Sequence, residues 1–123
     1  LTVTAYNQDN NSILEESGRG YTRIGLIKPD IAAPGYRIPC ALPENTYGYA
    51  TGTGAAAAHT AGIMAMVFEW AIVKKNYIQM TGNIINRQLS WNATRDDYNT
   101  YPNNIWGYGL VDINRFFTTV KNA

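Results

Sequence analysis

The sequence has little cysteine and little charge. Its single cysteine, Cys40, cannot form an internal disulfide, so cysteine usage leaves the redox compartment open. Charged residues make up 15% of the chain, and the formal net charge is +1 with no basic block. A chain this close to neutrality is not expected to bind nucleic acid or an anionic membrane through bulk electrostatics.

Long apolar runs are also missing. A membrane span needs roughly 18–20 apolar residues, and the closest stretch is interrupted by His59, Thr60 and Glu69, so we expect no membrane span. There is no signal-peptide pattern. The chain opens on a strand pattern, Leu1–Tyr6, without an initiator Met. We therefore expect one domain of 123 residues that is a piece of a longer protein.

The most distinctive stretch runs from Thr51 to Gly62 with the sequence TGTGAAAAHTAG. Its glycines permit a sharp turn, and the alanines that follow predict a helix, which we expect to end near Asn76. From Ala55 to Val73 the only charge is Glu69, which predicts a helix that is apolar nearly all round and buried in the middle of a domain. Backbone N–H groups at such a helix start favour negative charge, so an active site is expected there.

The rest of the chain alternates strand and helix patterns, which predicts an α/β architecture with a parallel sheet. We expect an irregular surface loop from Tyr36 to Ala50 and a second helix from a cap at Thr81 to about Thr94. The other predicted elements are strands at 1–6, 13–14, 24–27 and 30–33 and a helix at 113–120.

Three segments in order resemble the C-terminal third of the subtilisin-like serine protease domain. They are Lys28–Gly35 (KPDIAAPG), Gly52–Gly62 (GTGAAAAHTAG) and Trp106–Asp112 (WGYGLVD). The likeness covers essentially residues 1–123. It implies the C-terminal portion of a three-layer fold with a parallel sheet and a buried central helix.

The resemblance also implies that the nucleophile is missing. The family has Ser after Gly-Thr at the start of the central helix, and here Gly54 follows Gly52 and Thr53. The family's usual Pro before the motif histidine is replaced by Ala58, and His59 matches a histidine that is not the catalytic one. The family's catalytic Asp and His and its oxyanion Asn lie upstream. No catalytic residue, cofactor or metal is therefore assigned.

Within that family the chain looks most like the Csp subtilases of clostridial spores, and among these their pseudoprotease branch, CspC. That resemblance implies a pseudoprotease in the bacterial spore, in the cortex or coat region. It implies a role in germination, relaying a bile-salt type of signal to a Csp protease that activates a cortex hydrolase. Partners would be other Csp proteins or the germination protease.

Other readings of single residues stay open. His59 is expected to be a core histidine, and pairing of Cys40 with His59 for catalysis is disfavoured. Asp30 is expected to accept backbone hydrogen bonds. The loop carboxylates Asp96 and Asp97, with Asn99, Asn103 and Asn104, match no metal loop. Tyrosines of the 36–49 loop, with Trp106, line a partner surface or pack against the sheet.

Two other functions remain as alternatives. One is an active hydrolase whose nucleophile lies elsewhere in a longer chain. The other is a small independent binding module unrelated to proteases. Rescue of catalysis by Thr51 or Thr53 is disfavoured, because their side chains flank the turn and point elsewhere.

Overall fold

The computed structural model describes residues 1–122, which form a three-stranded sheet, a separate hairpin and three helices. The strands are β1 (Val3–Asn7), β2 (Ser12–Ile13), β3 (Ile31–Pro34), β4 (Ile38–Leu42) and β5 (Thr46–Ala50). The helices are α1 (Thr53–Phe68), continued by a π-helical turn (Glu69–Val73), α2 (Gly82–Trp91) and α3 (Ile113–Lys121).

The main sheet is mixed, with the order β2-β1-β3. Strands β1 and β3 are parallel, as predicted, and their register places Val3 opposite Ile31. Strand β2 returns antiparallel to β1 after the polar turn. On the side of β3 that faces away from β1, Ala32 forms an isolated parallel bridge with Leu110.

Helix α1 lies against β1 and β3 and divides the buried residues into two groups. Small residues fill the sheet side, where Ala5, Ala33 and Ala56 are fully buried, so the helix start comes close to the strands. Larger side chains fill the other group, where the end of α1 meets α2 and α3. Its buried members are Ile63, Val67, Ala71, Met80, Ile85, Leu89 and Phe116.

The prediction that α1 is buried all round is wrong for the described residues. A single stripe is buried, formed by Ala56, Thr60, Ile63 and Val67 and continued by Ala71 in the π-helical turn. The opposite face is exposed, including Met66 at 51%. Alanine and glycine occur on helix faces that are covered by another segment and on faces that are exposed. Composition therefore could not distinguish a buried face from an exposed one.

The segment from Tyr36 to Ala50 is a regular hairpin and not the predicted irregular loop. Strands β4 and β5 pair over five positions, from Ile38 with Ala50 to Leu42 with Thr46. Pro39 is accommodated because β4 is an edge strand, where a missing N–H costs no ladder bond.

A second prediction is also wrong. Residues 24–27 form no strand but a tight turn, in which the Thr22 N–H donates to the Leu26 carbonyl at 3.0 Å. Ile24 is 81% exposed there, so its apolar character did not reflect burial.

Both later helices start as predicted. Thr81 Oγ1 accepts the Ile84 N–H at 3.3 Å, and Asp112 Oδ1 accepts the Arg115 N–H at 2.9 Å. Helix α2 ends at Trp91, a turn earlier than the predicted Thr94.

Candidate functional site

The three sequence segments come together along β3. The Gly52 N–H donates to the Gly35 carbonyl at 2.8 Å, which joins the first segment to the start of α1. The Tyr108 N–H donates to the Asp30 carbonyl at 2.7 Å, which joins the third segment to the first. Segments far apart in sequence thus meet at the two ends of β3. The second segment lies at its carboxyl end, which is where ligands bind in open α/β folds.

The turn before α1 requires glycine at position 52. Gly52 has φ 131° and ψ −176°, a backbone conformation that residues with a side chain rarely adopt. It caps the helix without a side-chain hydrogen bond, and the first turn contains no acidic residue. The first N–H groups of α1 therefore have no side-chain acceptor from the cap, and the helix dipole favours negative charge there.

Gly54 lies in the first turn of α1 and is exposed. Apart from the adjacent residues and the backbone of its own helix, a Cβ at this position would meet no atom of the described residues within 4 Å. Packing among the described residues therefore does not require glycine at position 54. The residue offers a backbone N–H and no heteroatom side chain that could act as a nucleophile.

The neighbouring hydroxyls are placed differently from one another. Thr51 Oγ1 accepts the Arg37 N–H at 2.9 Å, so it is engaged with the chain entering β4. Thr53 is exposed and lines a cavity of about 310 Å³ beside the start of β1. Two cationic side chains, Arg19 and Lys28, also line that cavity. The sequence analysis did not single out as site residues either Arg19, which lies between Gly18 and Gly20, or Lys28, which begins the first segment.

His59 is exposed on α1, so the prediction of a core histidine is wrong for the described residues. It precedes the buried Thr60 by one residue, and one residue corresponds to about 100° of rotation around a helix. His59 is the chain's only histidine, so within residues 1–122 no other imidazole could serve as a base for a hydroxyl near Gly54. Cys40 lies on β4 and is partly buried.

Asp30 accepts a backbone hydrogen bond, as predicted. Its Oδ2 accepts the Thr2 N–H at 2.7 Å, and both carboxylate oxygens accept hydrogen bonds from Lys28 Nζ, at 2.9 and 2.7 Å. The ion pair was not predicted. The same carboxylate joins Thr2, just before β1, to the residue just before β3.

The loop carboxylates hold their own backbone. Asp96 Oδ1 accepts the Tyr98 and Asn99 N–H groups at 3.0 and 2.9 Å. Desolvation opposes ionisation of Asp96, but the hydrogen bonds from Asn99 and Tyr98 outweigh it and lower the pKa of the carboxyl. Within residues 1–122 no group of three or more acidic, histidine or cysteine residues is placed to hold a metal ion.

The hairpin tyrosines are turned outward. Tyr47 is 84% exposed, and Tyr49 packs under the Arg37 guanidinium at 4.7 Å from its ring centre. Trp106 instead packs against Tyr6 of β1, with ring centres 6.3 Å apart. The predicted alternatives thus divide, with Trp106 packed on the sheet and Tyr47 available to a partner.

One helix, Thr53–Val73, is long and apolar enough to cross a membrane by length and composition alone. Its most apolar window is 28% buried within the chain. A helix from the interior of a globular domain meets the same criteria, so this is weak evidence for a span.

Comparison with known proteins shows which protein family this chain is similar to. Residues 1–109 match the model of the subtilase family. The structure of the CspB protease of Clostridium perfringens superimposes with a TM-score of 0.92 at 36% identity, over 98% of this chain and 26% of that one.

Two curated relatives are similar in sequence. Pyrolysin of Pyrococcus furiosus is 31% identical over 112 residues, which is 85% of this chain and 8% of pyrolysin. The minor extracellular protease Vpr of Bacillus subtilis is 36% identical over 94 residues, 72% of this chain and 11% of Vpr. The chain thus spans about a tenth of these relatives and about a quarter of the CspB structure.

Proposed function

This chain belongs to the subtilase family and is related to the Csp proteases, and on that premise we propose that it is part of a catalytically inactive member that regulates spore germination. The match to the family model and the similarity to CspB support the premise. The observation that carries the proposal is Gly54. It occupies the first turn of the helix that, by resemblance, should present the nucleophilic serine.

The chemistry around Gly54 supports inactivity. Acyl transfer needs a heteroatom nucleophile, a base to take its proton and donors for the oxyanion. The helix start retains backbone donors, but Gly54 supplies no hydroxyl, and the Thr51 hydroxyl is already hydrogen-bonded to the Arg37 N–H. Donors and binding alone leave a residual acceleration of about 10³–10⁴-fold over water, too little for physiological proteolysis.

The retained turn supports a binding role. Gly52, Gly35 and the buried small residues keep the strand-to-helix geometry, although the nucleophile position carries only hydrogen. A site that keeps its shape without its chemistry can recognise a peptide without cutting it. We infer that the full-length protein resembles the CspC pseudoproteases and is located in the spore. There it binds another Csp protein or the germination protease.

The signal is proposed to be a bile salt. In this account the protein binds the germinant and alters a Csp protease that activates a cortex hydrolase. This follows from the resemblance to the Csp group, and relatedness to CspB supports it at the level of the group. An unrelated binding module is excluded, because the chain belongs to the subtilase family.

The test combines pull-down with a protease assay, using the full-length protein and an active Csp protease. We expect the two to co-precipitate and cholate to change both the amount recovered and the rate at which the Csp protease cleaves its hydrolase substrate. The full-length protein alone should leave that substrate intact. Cleavage by the protein alone would favour the alternative, an active endopeptidase with its nucleophile elsewhere, and absence of any association would contradict the regulatory role.

A further inference from the structure

A second cavity lies at the far end of α1, between the π-helical turn, α2 and α3. Its volume is about 580 Å³, within the range of small-molecule sites in proteins. Trp70, which lines the cavity, is 16 residues along the helix from Gly54, about 24 Å at 1.5 Å per residue. The cavity is thus separate from the altered nucleophile turn.

The floor of this cavity is apolar. Met80 is 5% exposed and belongs to the main core, and Trp70, Ile84 and Val120 pack against that core from above. Trp70 is held by an edge-to-face contact with Phe117, with ring centres 5.4 Å apart. A ligand with an apolar body would remove this floor from water at about 25 cal/mol per Å².

The rim is polar and carries one sign of charge. Asn76, Gln88 and Thr119 line it with amide and hydroxyl groups, and among residues 1–122 Lys121 is the only charged residue in the lining. Within the described chain no acidic side chain lines the cavity. An anionic group is therefore favoured beside Lys121.

The π-helical turn shapes one wall. The Lys74 N–H donates to the Glu69 carbonyl at 2.9 Å, the wide hydrogen bond that defines this turn. Asn76 Nδ2 donates to the Trp70 carbonyl at 2.8 Å, which closes the segment 74–80 over the turn. Such π-helical turns within α-helices occur frequently at functional sites. Here the turn carries Trp70, which lines the cavity.

We propose that the cavity between the π-helical turn, α2 and α3 binds an anionic amphipath, with its apolar body on Trp70, Met80 and Ile84 and its carboxylate beside Lys121. Binding by the cavity rests on the geometry just described. The identification of this cavity as the germinant site rests on the proposed function. Because the turn carrying Trp70 directly continues α1, a ligand there contacts the helix that begins at the altered nucleophile position.

The experiment titrates the full-length protein with cholate, below its micelle concentration, by isothermal calorimetry. Lys121→Gln should weaken cholate binding by about threefold, the value of one exposed ion pair, and leave binding of the uncharged cholate methyl ester unchanged. Lys74→Gln is the matched control, since it removes the same charge from an exposed residue that does not line the cavity. It should leave both titrations unchanged.

Two further variants test the apolar floor. Val120→Trp should fill the cavity and weaken both ligands by at least tenfold, and Ile84→Ala should weaken both ligands equally without filling it. Ile84 is only partly buried, so Ile84→Ala keeps the test informative if the tryptophan variant fails to fold. An arm with laurate distinguishes a bile-salt ligand from a fatty acid, which shares the chemistry.

The outcomes separate the cavity from the function. Cholate binding that is unaffected by Lys121→Gln and Ile84→Ala, or no binding at millimolar concentration, would overturn the site. If cholate still changes Csp protease activity in that case, the proposed function stands without the site. If binding depends on these residues but protease activity does not respond, the site stands and the proposed function fails.

Discussion

Gly52 and Gly54 are two residues apart and have different structural requirements. A Cβ would meet nothing within 4 Å at either position, so neither is glycine for lack of space among the described residues. Gly52 is required by its backbone angles, because φ of 131° is strained for any residue with a side chain. Gly54 has no such requirement, so neither space nor backbone angles among the described residues explain glycine at this position.

The backbone requirement at Gly52 predicts that Gly52→Ala destabilises the chain by about 1–3 kcal/mol. Gly62→Ala is the matched control, because Gly62 also has open space for a Cβ but lies inside α1 with ordinary helical angles. It should stabilise by up to about 1 kcal/mol, since alanine is the better helix former. Urea denaturation followed by circular dichroism measures both, and changes of the same sign would refute the argument.

At the scale of elements, sequence patterns located most strands and helices but misjudged two exposed segments. The cap at Thr81 and the strand at Ile31–Pro34 were predictable, because a side-chain cap and an apolar run act locally. The β4–β5 hairpin was missed because Pro39 and Pro43 suggested a loop. Its turn depends on Glu44 and Asn45 at positive φ, which a single sequence does not show for glutamate.

Helix α3 depends on its cap. Asp112 Oδ1 accepts the Arg115 N–H at 2.9 Å and Oδ2 accepts the Thr94 hydroxyl at 2.8 Å. One carboxylate thus joins the helix start to Thr94, which forms an antiparallel bridge with Leu110. Asp112→Ala should therefore lower the free energy of unfolding by about 1–2 kcal/mol.

Asp112→Asn is the control for the cap. Asparagine keeps one carbonyl oxygen and caps helices about as well as aspartate, so this variant should lose less than half as much stability. Chemical denaturation of both variants measures the difference. Equal losses would mean that the charge, and not the cap, holds α3.

At the scale of the whole molecule, Gly54 and the cavity proposed to bind an amphipath lie toward opposite ends of one continuous helical segment, Thr53–Val73. The assignment of Gly54 to the nucleophile position stays a prediction, made from three ordered segments that carry a family resemblance. The cavity could not be predicted from sequence, since Trp70, Met80 and Lys121 are brought together only by the packing of α2 and α3 on the end of α1.

We propose that this subtilase does not perform acyl transfer, and covalent labelling tests this claim directly. A fluorophosphonate probe reacts with activated serine nucleophiles, so we would treat the full-length protein and an active Csp protease with it and map adducts by mass spectrometry. We predict labelling of the active protease and none on the tryptic peptide that contains Thr51, Thr53 and Gly54. Gly54→Ser, which the open space around Gly54 accommodates, shows whether the remaining machinery can activate a restored hydroxyl. An adduct on Thr51 or Thr53 of the unaltered protein would contradict the claim.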